Sequence, residues 1–99
     1  MLYIFWEFQV KPDKIAEFER RYGSHGDWAN LFRRAQGFHH ITLGRSTHAA
    51  GHYLVTDIWE DAKSFAQFKK DFRDAYAELD KICESLTLEE KHIGDFELI

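Results

Sequence analysis

The stretch that decides the fold is His52–Trp59 (HYLVTDIW), followed after one residue by Asp61–Phe72 (DAKSFAQFKKDF). Its first part alternates. Tyr53, Val55, Asp57 and Trp59 fall on one side and Leu54, Thr56 and Ile58 on the other, the two-residue period of a strand. Past Trp59 the spacing changes to three and four, placing Phe65, Phe68, Phe72, Tyr76, Leu79, Ile82 and Cys83 on one helical stripe. Asp61 stands ahead of that stripe as its N-cap. A strand that feeds straight into a long helix fixes two layers of a fold at once. Trp59 sits at the joint, and Asp57 lies two residues back on the same side. That side is either packed core or the wall of a site.

Upstream, Leu2 to Val10 alternates between a wholly apolar face (Leu2, Ile4, Trp6, Phe8, Val10) and a mixed one (Tyr3, Phe5, Glu7, Gln9). Pro12 suits a first helical turn and Asp13 its positive end, with Ile15, Phe18 and Tyr22 as the buried stripe. Gly23-Ser24-His25-Gly26 breaks this helix. Asp27 is the expected N-cap of a second short piece carrying Trp28, Leu31, Phe32 and Ala35. Gly37 ends it in the left-handed position. Phe38–Arg45 and Gly51–Glu60 read as a hairpin across the turn-like residues 46–50. A last strand spreads over Leu86–Ile99, with Gly94 as a bend or bulge.

The order strand, broken helix, strand, strand, helix, strand implies an α+β, ferredoxin-like βαββαβ domain over residues 1–99. Its four-stranded antiparallel sheet carries both helices on one face. If the helices cover Leu54, Thr56 and Ile58, then Tyr3, Phe5, Tyr53, Val55 and Trp59 leave an apolar patch on the opposite face. Monomers rarely expose such a patch. A homodimer whose two sheets face each other covers it, which makes the expected assembly a dimeric α+β barrel.

Composition sets further bounds. Ninety-nine residues fit one domain, and nine Phe, four Tyr and three Trp supply large buried areas or cavity walls. A net charge of −4 argues against a nucleic-acid partner held through phosphates. The lone Cys83 forms no internal disulfide or Cys-based zinc site, and falls on an apolar register. No apolar run approaches the ~20 residues that cross a bilayer, and no signal-peptide pattern opens the chain. A cytoplasmic protein without a membrane partner is the expectation.

At this point the residues resemble a known family. Tyr53-Leu54-Val55-Thr56-Asp57-Ile58-Trp59-Glu60-Asp61 with Ser64-Phe65 and Phe68 looks like the strand-to-helix signature of the antibiotic biosynthesis monooxygenase superfamily. The Gly-Asp-Trp-Ala, Leu-Phe-Arg-Arg-Ala and Gly-Phe pieces between Gly23 and Phe38 are similar to the helix–helix–strand entry of its uncharacterised members. The resemblance implies a dimeric barrel. It also implies cofactor-independent oxygenases that act on aromatic, polyketide-like substrates. Haem-degrading members combine a first-strand Asn, the Trp ending the third strand and a His about ten residues further on. Trp59 matches that Trp, but Phe5 and Lys69 stand at or near the other two positions, so haem degradation is not expected.

With the odd-numbered residues of the third strand facing the barrel interior, the candidate site gathers Tyr3, Phe5, Phe38, Thr42, Tyr53 and Trp59 as substrate-binding walls. Glu7, His40 and Asp57 are the candidate catalytic acids and bases. An apolar pocket with a few converging polar groups is the usual form of a small-molecule site. A buried carboxylate, or a His near neutral pH, can take a phenolic or α-keto proton. Structural roles stand beside these: Trp59 as a plug, Asp57 as a cap or an Arg partner, Glu7 and His40 as an ion pair. His39 and His40 point to opposite faces, and the other His residues lack ligand spacing, so neither a metal nor another cofactor is expected. Two function classes follow. One is a cofactorless monooxygenase-like enzyme acting on an aromatic or polyketide-like molecule. The other is a non-catalytic dimeric barrel that binds a small hydrophobic ligand or serves as a stress-linked module.

Overall fold

The computed structural model describes residues 1–99. The elements are β1 (Leu2–Val10), α1 (Ile15–Tyr22, entered through a 3-10 turn at Pro12–Lys14), α2 (Asp27–Phe32), β2 (Phe38–Arg45), β3 (His52–Trp59), α3 (Ala62–Asp71), α4 (Arg73–Cys83) and β4 (Thr87–Glu97). The sheet is antiparallel in the order β2-β3-β1-β4, the ferredoxin-like arrangement. One face of the sheet is covered by the helices and the other is open.

Register decides which residues lie on which face. Across β1 and β3, Leu2 pairs with Trp59, Ile4 with Asp57, Trp6 with Val55 and Phe8 with Tyr53. Directly opposed residues of an antiparallel pair share a face. The odd-numbered residues of β3 therefore join the wholly apolar face of β1 beneath the helices, and the core forms there from Leu2, Ile4, Phe8, Val10, Tyr53, Val55 and Trp59 with Phe18, Phe32 and Phe68. This corrects the expected face assignment: Leu54, Thr56 and Ile58 look to the open side instead. Both faces of β3 are largely apolar, so its own alternation carries no sign. Only its pairing with β1 supplies one.

Three local features depart from or refine the expected elements. The long second helix is broken at Phe72 (φ −117°, ψ 29°) rather than running unbroken. Asp27 is the first helical residue after Gly26, and its carboxylate takes a 2.5 Å bond from Arg21 Nη1 instead of capping. In β2 the register shifts between Phe38 and His40, a bulge that leaves Phe38 opposite Trp59 and His40 opposite Ile58. Phe38 and His40 thus lie on opposite faces.

Other expectations hold. The Asp61 carboxylate accepts from the Ser64 backbone N–H at 2.7 Å, and Cys83 is a buried free thiol. Gly37 closes the α2 segment at φ +89°, and a Cβ there would lie 2.5 Å from Ser64 Cβ. Its carbonyl accepts from the Glu60 N–H at 2.6 Å. Only glycine offers both the conformation and the room. This contact ties the first helical layer to the β3–α3 joint.

Candidate functional site

The helix-covered layer has two unlike ends. At the joint, Trp59 has no exposed surface. Its ring lies 5.2–5.4 Å, centroid to centroid, from Phe32, Phe38, Phe65 and Phe68. Edge-on and tilted contacts at this spacing are favourable for aromatic pairs. The Trp59 indole N–H finds no hydrogen-bond acceptor. It is a packed plug.

Two residues back on the same face, Asp57 faces a small cavity. The cavity is lined by Trp6, Phe8, Ile41 and Val55 from the sheet, and by Tyr22, Trp28 and Phe32 from the first helical layer. Tyr76 and Asp80 of α4, Glu90 of β4 and Asp57 itself complete the wall. Its volume is about 40 Å³, room for water but far below the roughly 150 Å³ that accepts a benzene ring. A ring-sized guest therefore requires the walls to separate. α4 meets α3 at the Phe72 break, and α4 carries Tyr76 and Asp80 at a four-residue spacing on one face.

Asp57 is 6% exposed and makes no hydrogen bond or ion pair. Burial alone lifts its carboxyl pKa from 3.8 to about 7, because the charged form loses its hydration. Tyr76 is pushed up to about 12, first by burial and then by the charges of Asp80, Asp57 and Glu90. Asp80 is raised by burial and by Glu84, and Glu90 by burial and by Asp80 and Glu84. Tyr22 is also raised, mainly by burial, with Cys83 and Glu90 adding to it. Asp80 and Glu90 are exposed residues, so they stand at the mouth while Asp57 stands at the floor. An apolar cavity with a single uncompensated carboxyl at its floor can hold or take a proton near neutral pH. No group of three or more His, Cys, Asp or Glu side chains is placed to hold a metal ion.

The sequence of residues 1–78 matches the family model for antibiotic biosynthesis monooxygenase. The chain belongs to that family. A search of curated protein sequences finds no match. Among solved structures, a variant of SnoaB, a cofactor-independent oxygenase from Streptomyces nogalater, superposes with a TM-score of 0.81 at 23% identity, covering 98% of this chain and 91% of that one. A candidate antibiotic biosynthesis monooxygenase from Deinococcus radiodurans gives 0.79 at 13% identity, covering 100% and 93%. Another from Bordetella bronchiseptica gives 0.75 at 22%, covering 99% and 96%. At these identities the likeness establishes the shared fold.

For this member of the monooxygenase family, the expected site residues divide between the two faces. Phe38, Tyr53, Asp57 and Trp59 lie on the helix-covered face, while Tyr3, Phe5, Glu7, His40 and Thr42 lie on the open one. Of these, Asp57 alone lines the cavity. Tyr53 is turned to α1, where its hydroxyl donates to Glu19, which also accepts from Arg45 at 3.0 Å. Glu7 pairs with His52 at 2.9 Å and not with His40. The residues missed are Asp80 and Glu90, both exposed and outside the expected apolar stripe and faces. Tyr22, Trp28, Phe32 and Tyr76 were expected as core and also line the cavity. The four-residue spacing of Tyr76 and Asp80 was the available signal.

Proposed function

We propose that this protein is a monooxygenase-like enzyme that oxidises an aromatic or polyketide-like molecule without a resident cofactor, and that the cavity above Asp57 is its site. The observation that carries this reading is the Asp57 carboxyl, buried, unpartnered and facing an aromatic-walled cavity. Family membership and the fold shared with a cofactor-independent oxygenase support it. In this reading a phenolic substrate enters hydroxyl-first, its ring between Trp6, Tyr22 and Trp28, and donates its proton to the ionised Asp57. The phenolate left behind, shielded from water, is electron-rich enough to reduce dioxygen: one oxygen atom enters the ring, the other leaves as water, and the substrate supplies all four electrons by ending as a quinone. Asp57 acts as the base, so activity rises with pH through about 7. His40 and Glu7 have no part in it, being on the other face of the sheet.

Oxygen uptake with a panel of hydroxylated aromatics tests the reading. Wild-type protein is expected to consume oxygen, and Asp57→Asn to lose about 10²- to 10⁴-fold in rate, the usual worth of a positioned base. Equal rates in both proteins would remove Asp57 from the reaction. The aromatic wall also suits a second reading, a barrel that binds a ligand without turning it over. Saturable binding with no oxygen uptake is its signature.

We also infer that the open face pairs with a second copy. Tyr3, Phe5 and the 54%-exposed Phe96 form a continuous aromatic group there, with Phe5 and Phe96 ring centroids 5.5 Å apart, and Leu54 is exposed on the same face. Light scattering is expected to show a dimer that Phe96→Asp dissociates. A monomeric wild type would overturn the assembly.

A further inference from the structure

The cavity wall contains three carboxyl residues, Asp57, Asp80 and Glu90, and no Lys, Arg or His. None of the ion pairs in the molecule includes any of the three, nor Glu84 beside the mouth. Elsewhere seven acids are ion-paired: Glu17 and Asp27 by Arg21, Glu19 by Arg45, Glu60 by His39, Glu7 by His52, Asp74 by Arg73 and Asp95 by His92. Unpaired acids also lie elsewhere on the surface, Asp13, Asp71 and Glu97 among them, but at the cavity two of them share one wall with the buried Asp57 and no cation. Between floor and mouth the wall is aromatic, with Trp6, Phe8, Tyr22, Trp28, Phe32 and Tyr76. The ring faces of Trp and Tyr attract cations, and a carboxylate-lined cleft with low-dielectric walls focuses a field of one sign.

Resting on the reading of this cavity as a substrate site, we propose that it selects aromatic substrates bearing a protonated amine and rejects those bearing a carboxylate. The ring enters toward Asp57, and the ammonium group remains at the mouth between Asp80 and Glu90, which act as specificity-determining residues. A carboxylate at the same place meets two like charges with no cation to offset them. Like-charge juxtaposition of this kind is how binding sites turn away the wrong partner.

The test uses three ligands on one skeleton: benzylamine, benzyl alcohol and phenylacetate. Binding is followed through the indole N–H NMR signals. Trp6 and Trp28 line the cavity, while Trp59 lies outside it and serves as the internal control. At low salt, benzylamine is expected to bind about tenfold more tightly than phenylacetate, with benzyl alcohol between them. The double variant Asp80→Asn/Glu90→Gln is expected to erase that order and leave the alcohol's affinity unchanged. Asp13→Asn/Glu97→Gln, away from the cavity wall, keeps the order and separates a local field from net charge. If all three ligands bind equally, or the order survives in the Asp80/Glu90 variant, the selectivity proposal falls and the site reading stands. If none of the three moves the Trp6 or Trp28 signals, the site reading falls and takes this proposal with it.

Discussion

Trp59 and Asp57 sit on one strand, on one face, about 7 Å apart at the usual rise of a strand, and they have opposite surroundings. Trp59 is enclosed by four phenylalanine rings with no free space. Asp57 is also buried, though less completely, and its carboxyl looks into a cavity and has no partner. The first arrangement maximises contact area and serves stability. The second keeps an ionisable group desolvated, at a larger cost than the unpaired neutral N–H of Trp59, and strongly perturbed ionisable groups cluster at functional sites. Within a single layer, one end holds the fold and the other is where we place the chemistry.

That contrast breaks if the two residues respond alike to substitution. Trp59→Ala is expected to cost about 3–5 kcal/mol in a denaturant titration, the range for removing a large buried aromatic. Asp57→Asn, in contrast, should not destabilise the protein at neutral pH. A loss of several kcal/mol from Asp57→Asn would show the carboxylate to be structural.

A smaller and more selective effect comes from pH. Because the folded-state pKa of Asp57 lies above its ordinary value of 3.8, at about 7, the native state holds a proton that the unfolded state has released. The stabilisation is complete below about pH 4 and is lost as pH rises to about 7. At about 1.4 kcal/mol per pH unit it amounts to at most about 4 kcal/mol. The stability of wild type relative to Asp57→Asn should therefore fall between pH 4 and 7 and then level off. Parallel curves for the two proteins would mean that Asp57 is solvated or paired in solution.

Much of the architecture was legible in the residues. The switch of period past Trp59, the glycine at position 37 and the Asp61 cap each have a local physical cause, and each appears where expected. Facing was harder to read. β3 is apolar on both sides, so its orientation depends on the register with β1, which is a property of two distant segments. The bulge after Phe38 then moves that ring away from His40, and no local residue pattern marks it. The cavity was least legible, because its wall is drawn from both ends of the chain. Glu90 reaches it only because β4 pairs with β1 and sets Glu90 opposite Phe8. Asp80 looks like any acid on an exposed turn until Tyr76, one turn earlier, is seen to line the same space.

The central claim is that the functional site lies under the helices, at Asp57, and not on the open face of the sheet. A crystal structure of the protein with a bound phenol tests it most directly. The account requires the ring between Trp6, Tyr22 and Trp28 with its oxygen within hydrogen-bond distance of Asp57, and the cavity widened well beyond its present 40 Å³. A phenol seated instead on the open face, against Tyr3, Phe5 and His40, would contradict it.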